Sequence, residues 1–195
     1  MSNIKCFFAE PTGRVEIELR RYVSPSSGPV RVCPGPMSYH DAEVTIAVED
    51  KPFTTNPQYD QERPGSVPHN DSRWPKKCSC GYEFKDKDEW QINEHRLYSG
   101  AGKEFTLRHA PVGAMWDAWW YGDSSKGPDG IHLVVQTPGG EWMPDSPSRN
   151  QDGSQGPAWE RTGDARNPHT LTVRPSILMP GKYHGFLTNG ELVSA

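Results

Sequence analysis

Alternating apolar and polar residues predict β-strands along most of this chain. Val15, Ile17 and Leu19 alternate with charged residues, which is the period of two expected for a strand with one buried face. Other candidate strands are the short runs at residues 4–8, 44–48, 104–108, 114–120, 131–136, 141–143, 171–173, 182–187 and 191–194. Asn189-Gly190 separates the last two runs and is the dipeptide most typical of a tight hairpin. The pattern therefore predicts short strands that pair mainly in the antiparallel sense.

The segment at residues 86–100 fits a helix better than a strand. Asp86 or Asp88 can cap its start, acidic residues fill its first turn, and Ser99-Gly100 can end it. Trp90 and Leu97 would then share one face of the helix. We therefore expect an α+β fold that is predominantly antiparallel β, with one helix after a pair of cysteines and many loops rich in proline and glycine.

Two long polar stretches divide the apolar runs. Residues 51–77 are rich in Pro, Asn, Asp and Ser, and residues 144–168 form a second stretch of the same kind. These stretches predict three parts: an N-terminal β segment at 1–50, a polar loop or linker at 51–77, and a β-rich domain at 78–195.

The composition predicts a thin apolar interior. Only 33% of the residues are apolar, while the chain has 19 glycines and 19 prolines, so buried tryptophans and tyrosines would have to compensate. A net charge of −4 argues against general affinity for nucleic acid. There is no apolar run long enough to span a bilayer and no signal peptide, so we expect neither membrane attachment nor secretion.

A pair of closely spaced thiols is the strongest candidate for chemistry. Cys78 and Cys80 are separated by one residue and precede a glycine, which looks like half of a zinc site with four N and S ligands. His69, His95 and His184 are the candidates for completing the site, and the spacing leaves open which of them do so. The alternative is a pair of reduced cysteines in a turn without a metal, since no secretion signal favours disulfides.

Other candidate sites are weaker. Cys33 and His40 form a second possible ligand pair, which we interpret as a plain buried thiol with a nearby histidine. The segment 127–130, Gly-Pro-Asp-Gly, predicts a turn rather than a calcium loop. Ser176 precedes His184 without a visible activating group, and no hydrolase, metalloprotease or nucleotide-binding motif occurs, so no catalytic residue is assigned.

Three tryptophans fall within five residues. Trp116, Trp119 and Trp120 can form a stacking platform for a sugar, a base or a peptide. Alternatively they belong to a strand in the core, with Trp116 and Trp120 on one face and Trp119 on the other. We favour the core for two of the three, because no basic residues lie among them.

Several short motifs occur together in the C-terminal two thirds of the chain. They are Trp-Pro at 74–75, Cys-Ser-Cys-Gly-Tyr-Glu-Phe at 78–84, Asp-Glu-Trp-Gln at 88–91, Pro-Val-Gly-Ala-Met-Trp at 111–116, Gly-Pro-Asp-Gly at 127–130 and Tyr-His-Gly-Phe at 183–186. In this combination the chain resembles a family of uncharacterised proteins encoded mainly by tailed phages and prophages. The resemblance implies a phage origin and carries no established activity. In similar β domains a cysteine shortly precedes the matching histidine, whereas Lys182 and Tyr183 stand here, which leaves one ligand unassigned.

These observations lead to one expected function and two alternatives. We expect a phage-encoded accessory or virion-associated structural protein, non-enzymatic and stabilised by zinc, with capsid or tail components as partners and the virion or host cytoplasm as its location. The first alternative is a host-interaction factor that binds a bacterial protein through exposed tryptophans. The second is a zinc-dependent enzyme, in which three protein ligands hold the ion and water takes the fourth position.

Overall fold

Strands dominate the architecture. The computed structural model describes residues 3–23, 33–34, 39–50, 67–121, 126–148 and 154–195; residues 51–66 of the predicted loop lie outside this set. The strands are β1 (Ile4–Lys5), β2 (Phe7–Phe8), β3 (Glu10–Tyr22), β4 (Asp41–Asp50), β5 (Glu89–Gly100), β6 (Lys103–Thr106), β7 (Ala114–Asp117), β8 (Leu133–Thr137), β9 (Gly140–Trp142), β10 (Glu160–Thr162), β11 (Thr172–Met179), β12 (Tyr183–Thr188) and β13 (Glu191–Ser194). Short 3-10 helices cover Leu107–His109, Trp119–Tyr121 and Pro168–Thr170.

Contacts between residues divide the chain into two compact units. The first unit comprises Met1–Glu10 and Tyr98–Ala195, and the second comprises Pro11–Leu97. The three-part division at 1–50, 51–77 and 78–195 stays a prediction, because most of the proposed linker falls outside the described residues.

The first unit contains two sheets. One has the strand order β1-β13-β12-β11-β10 with antiparallel pairing, and the other has the order β2-β7-β8-β9. Successive residues of β12 are alternately buried and exposed, as expected for a strand with one face in a core. Asn189 and Gly190 both have positive φ, 50° and 72°, between the paired residues Thr188 and Glu191. The predicted hairpin is therefore confirmed.

In the first unit, the buried side chain of Arg161 binds two aspartates that lie in loops. In β10, Arg161 donates to both oxygens of Asp129, at 2.6 and 2.7 Å, and to both oxygens of Asp145, at 2.9 and 3.0 Å. The side chains of Arg161, Asp129 and Asp145 are only 1%, 7% and 6% exposed. Burial acts to lower the pKa of Arg161, but the hydrogen bonds to the two carboxylates raise it above its ordinary value. The guanidinium therefore stays charged in the interior.

The predicted turn at 127–130 serves this ion cluster. The backbone N–H of Gly130 donates to the carbonyl of Gly127 at 3.0 Å, which confirms the turn. A Cβ at Gly127 would collide with the Arg161 guanidinium, so the close approach requires glycine. Asp129 faces the arginine from this turn, and its carboxylate also accepts the backbone N–H groups of Ile131 and Ala165.

The second unit contains β3, β4 and β5 up to Leu97. The alternation at Val15, Ile17 and Leu19 is confirmed as the buried face of β3. This strand pairs antiparallel with β4, from Arg14 opposite Asp50 to Tyr22 opposite Asp41, and the strand order is β4-β3-β5. The expectation of a predominantly antiparallel β fold is therefore confirmed.

The predicted helix is wrong, because Glu89–Gly100 forms strand β5. Asp88, one of the two proposed caps, accepts hydrogen bonds from the backbone N–H of Lys85 at 2.7 Å and from the Tyr82 hydroxyl at 3.2 Å instead of capping a helix. Pairing in the sheet satisfies the backbone groups that a helix would satisfy internally, so tertiary contacts override a weak local preference. No helix in the described part of the chain reaches seven residues. None of them is long and apolar enough to cross a membrane.

We expect the substitution Arg161→Met to lower the free energy of unfolding by about 3–5 kcal/mol, because it leaves two buried carboxylates without a cation. Urea denaturation would measure the loss. Arg73→Met is the matched control, since Arg73 pairs with Asp71 at the surface and its loss should hardly move the urea midpoint. Equal midpoints for the two variants would contradict the structural role of the buried cluster.

Candidate metal centre

Four potential metal ligands from three chain segments converge in the second unit. Cys33 lies between β3 and β4, His40 directly precedes β4, and Cys78 and Cys80 belong to one tight turn. One ligand atom of each residue lies within 4.8 Å of all the others. The Cys33 and Cys78 sulfurs are 3.7 Å apart, and the Cys80 sulfur is 3.2 Å from Nδ1 of His40. Thiolate and imidazole groups at these distances could hold a metal ion.

Backbone hydrogen bonds shape the turn that carries two of the thiols. The N–H of Cys78 donates to the carbonyl of Tyr82 at 2.9 Å, and the N–H of Gly81 donates to the carbonyl of Cys78 at 2.9 Å. The N–H of Phe84 closes the base of the turn on the carbonyl of Lys76 at 3.0 Å. Gly81 has a φ of 90°, a conformation that costs glycine little and other residues more. The glycine after the cysteine pair is thus a requirement of the turn.

Strand pairing and ring stacking position the histidine. The N–H of Val23, just after β3, donates to the carbonyl of His40 at 3.0 Å, which fixes the backbone of His40 at the start of β4. The imidazole ring lies flat on Tyr82, with 4.0 Å between ring centroids and 9° between planes. Nδ1 is directed toward Cys80, whereas Nε2 is buried and has no hydrogen-bond partner among the described residues. Nδ1 is therefore the nitrogen available to a metal.

The site is buried on three of its four corners. Cys33, His40 and Cys78 are buried, whereas Cys80 is exposed. Tyr82 covers the imidazole and is itself held by a hydrogen bond to the buried carboxylate of Asp88. Contacts of this kind beyond the ligands fix their orientation in metal sites.

Hydrogen bonds favour the ionised form of Cys78. Burial raises the pKa of this thiol, but hydrogen bonds from the backbone of Cys80 and Asp41 act in the opposite direction. The side chains of His40 and Cys80 add to this effect, and the pKa falls to about 6. Cys6 lies in the apolar core of the first unit, and burial raises its pKa to about 12. Cys78 is therefore poised as a ligand, and Cys6 is an inert thiol.

The three histidines proposed from sequence have other partners. His69 stacks on Trp90, with ring centroids 4.3 Å apart, and Nε2 of His95 lies 3.5 Å from the Glu18 carboxylate. His184 is exposed on β12, where Nε2 lies 3.4 Å from the hydroxyl of Ser176. None of them belongs to the cluster found among the described residues.

Cys33 and His40 supply the remaining two ligand atoms of the cluster. Cys33 is buried, as interpreted, but its sulfur lies beside that of Cys78 instead of in an isolated apolar pocket. The sequence did contain a usable signal. Neither Cys33 with His40 nor Cys78 with Cys80 provides four ligands, but together they provide the four that a structural zinc site needs.

The tryptophan run does not continue as one strand. Trp116 is 1% exposed in an apolar cluster of the first unit, and β7 ends at Asp117. The chain then forms a 3-10 turn at Trp119–Tyr121, closed by the N–H of Tyr121 on the carbonyl of Ala118. Trp119 is half-buried and Trp120 is 38% exposed. The expected placement of Trp116 and Trp120 on one strand face is therefore wrong.

In the metal-free protein, we expect the Cys78 thiol to ionise near pH 6, far below its ordinary pKa of 9.0. Because its pKa is lower in the folded state, this thiol contributes its full stabilisation at pH values above the unfolded-state pKa of 9.0. That contribution is lost as the pH falls through about 6. Ultraviolet thiolate absorbance during a pH titration would detect the step. The step should be absent in Cys78→Ser and retained in Cys6→Ser; its persistence in Cys78→Ser would contradict the assignment.

No protein-family profile matches this chain. No curated protein and no solved structure is significantly similar to it.

Proposed function

We propose that the cluster of Cys33, His40, Cys78 and Cys80 is a structural zinc centre. In a tetrahedral site with Zn–S bonds of about 2.3 Å, two sulfurs are separated by roughly 3.8 Å. The Cys33 and Cys78 sulfurs are 3.7 Å apart, which supports this geometry. Three thiolates and one imidazole also match a common ligand set of structural zinc. The single observation that carries the proposal is the convergence of four such ligand atoms within 4.8 Å.

The number of ligands favours a structural role over a catalytic one. A catalytic zinc keeps one coordination position for water or substrate, whereas four protein ligands close the tetrahedron. Here four protein donors would fill all four positions, and three of the four donor residues are buried. This arrangement supports a non-enzymatic centre and argues against the zinc-dependent enzyme.

A zinc ion would also supply stabilisation where apolar contacts are few. The two large apolar clusters among the described residues belong to the first unit. In the second unit, a metal would join the connection between β3 and β4 to the Cys78–Cys80 turn. Structural zinc sites contribute their binding free energy to folding, so this link would compensate for a small core.

We expect the untagged protein to contain about one zinc ion per chain. Cys33→Ser, His40→Ala, Cys78→Ser and Cys80→Ser should each lower zinc affinity at least about 100-fold and reduce the melting temperature, because a ligand is lost. Elemental analysis and calorimetry would measure both effects. Cys6→Ser is the matched control and should keep its zinc; a wild-type protein without zinc would end the proposal.

We further propose that the protein is a phage-encoded accessory or virion-associated structural protein that contacts capsid or tail components. The combination of motifs over residues 74–193 supports the origin, and a closed metal centre supports a structural role. The virion or the host cytoplasm is its proposed location.

This proposal predicts that the protein remains with purified phage particles at a fixed copy number. A subunit held by specific contacts is retained through density-gradient purification, whereas a carried-over soluble protein is lost. Quantitative mass spectrometry of gradient fractions would measure the ratio to the major capsid protein. Loss of the protein from infectious particles would reject the virion role.

Exposed aromatic rings support the second candidate, a host-interaction factor. Trp120 is 38% exposed and Tyr121 is 50% exposed, in adjacent positions of one 3-10 turn. Aromatic residues of this kind often anchor protein interfaces. Capture from host lysate separates the two candidates, since a host factor would recover one bacterial protein and a virion component would recover phage proteins.

A further inference from the structure

One ligand of the proposed zinc centre differs from the other three in its exposure. Cys80 is exposed, whereas Cys33, His40 and Cys78 are buried. Cys80 is therefore the residue of the cluster that is most accessible to dissolved oxidants. Oxidation of cysteine is selective for accessible sulfurs with thiolate character, and a metal-bound thiol is deprotonated.

We propose that Cys80 is the oxidation site of the zinc centre, and that hydroperoxides release the metal by converting Cys80 and Cys33 into a disulfide. This inference rests on the proposed zinc function. Hydroperoxides are then the reactants at this site, and oxidation and reduction of Cys80 and Cys33 control zinc binding reversibly.

The reaction takes two steps and balances with one hydroperoxide. In the first, the Cys80 thiolate attacks the O–O bond, so that the sulfur becomes a sulfenic acid and hydroxide, or an alkoxide, leaves. In the second, the Cys33 thiolate attacks the Cys80 sulfur, the S–S bond forms and hydroxide leaves. Two thiolates are oxidised and one peroxide is reduced. Two of the four residues that would hold zinc would then be joined in the disulfide, and the remaining two would hold the ion too weakly to retain it.

Cys33 is the resolving thiol because of its place in the chain. The sulfurs of Cys33 and Cys80 lie within 4.8 Å of each other, and they come from segments distant in sequence. A disulfide between Cys78 and Cys80 would close a ring over a single intervening residue, in a turn already fixed by hydrogen bonds. Cys33 lies far from Cys80 in the chain, so a bond between these two sulfurs closes no such small ring.

The chain contains its own control thiol. Cys6 lies in the apolar core of the first unit, and burial keeps this thiol protonated, with a pKa of about 12. It should remain reduced under conditions that oxidise the zinc centre. The variant Cys6→Ser should therefore lose zinc to peroxide as fast as the wild type does.

The test uses the full-length, zinc-loaded protein and hydrogen peroxide. A chromogenic chelator records zinc release, dimedone traps sulfenic acid, and peptide mapping after alkylation identifies the disulfide. We expect release of the bound zinc, dimedone on Cys80, a bond between Cys33 and Cys80, and recovery of the site after reduction with added zinc. Cys80→His retains a Cys2His2 ligand set but lacks the accessible sulfur, so its release should be at least about tenfold slower.

Cys33→His provides the complementary variant. It should retain zinc initially and accumulate the dimedone adduct on Cys80, because the resolving thiol is missing. Should either histidine variant fail to bind zinc, peptide mapping of the wild-type protein still shows which cysteines peroxide oxidises and which pair forms the disulfide. Stable zinc in the presence of peroxide, or a first oxidation at Cys78, would overturn the inference. A wild-type protein that never contains zinc would instead reject the zinc function itself.

Discussion

The antiparallel pairing of β3 with β4 is the constraint on which the metal centre depends. It returns the chain so that His40 hydrogen-bonds to Val23 at the entrance of β4, with Cys33 in the intervening connection. The turn holding Cys78 and Cys80 is fixed by its own backbone hydrogen bonds. The sheet and the turn thus present His40, Cys78 and Cys80 from backbone held by hydrogen bonds, and an ion binding there would spend little of its binding free energy on ordering these three ligands.

Both units are stabilised by contacts of buried arginine side chains in addition to apolar contacts. In the first unit, Arg161 holds Asp129 and Asp145 in the interior. In the second, the guanidinium of Arg21 lies 3.3 Å from the ring centroid of Trp90 and donates to the carbonyl of Lys85 at 2.7 Å. Such clusters contribute modestly when intact, but losing one partner is costly because a buried charge remains. A chain with 33% apolar residues is accordingly sensitive to single changes at these positions.

Local signals were reliable wherever short-range chemistry decides the structure. The alternation in β3 and the Asn189-Gly190 hairpin depend on side-chain periodicity and on the φ of two residues, and both were confirmed. The predicted helix failed because its sequence signals, such as Asp88 as a cap, also serve a strand. The Asp88 carboxylate is occupied by Lys85 and Tyr82, and pairing with β3 satisfies the backbone of β5.

By itself, the sequence determined the strand-rich class, the glycine-dependent turn after Cys80, and a pair of thiols suited to a metal. Only the tertiary structure decided which residues join that pair, because the partners lie about 40 or more positions away in the chain. Side chains that far apart meet only through tertiary contacts, such as the stacking of His40 on Tyr82 and the hydrogen bond from Arg21 to the carbonyl of Lys85. Spacing along the chain carries no information about these contacts, and so it could not distinguish Cys33 and His40 from the histidines found elsewhere.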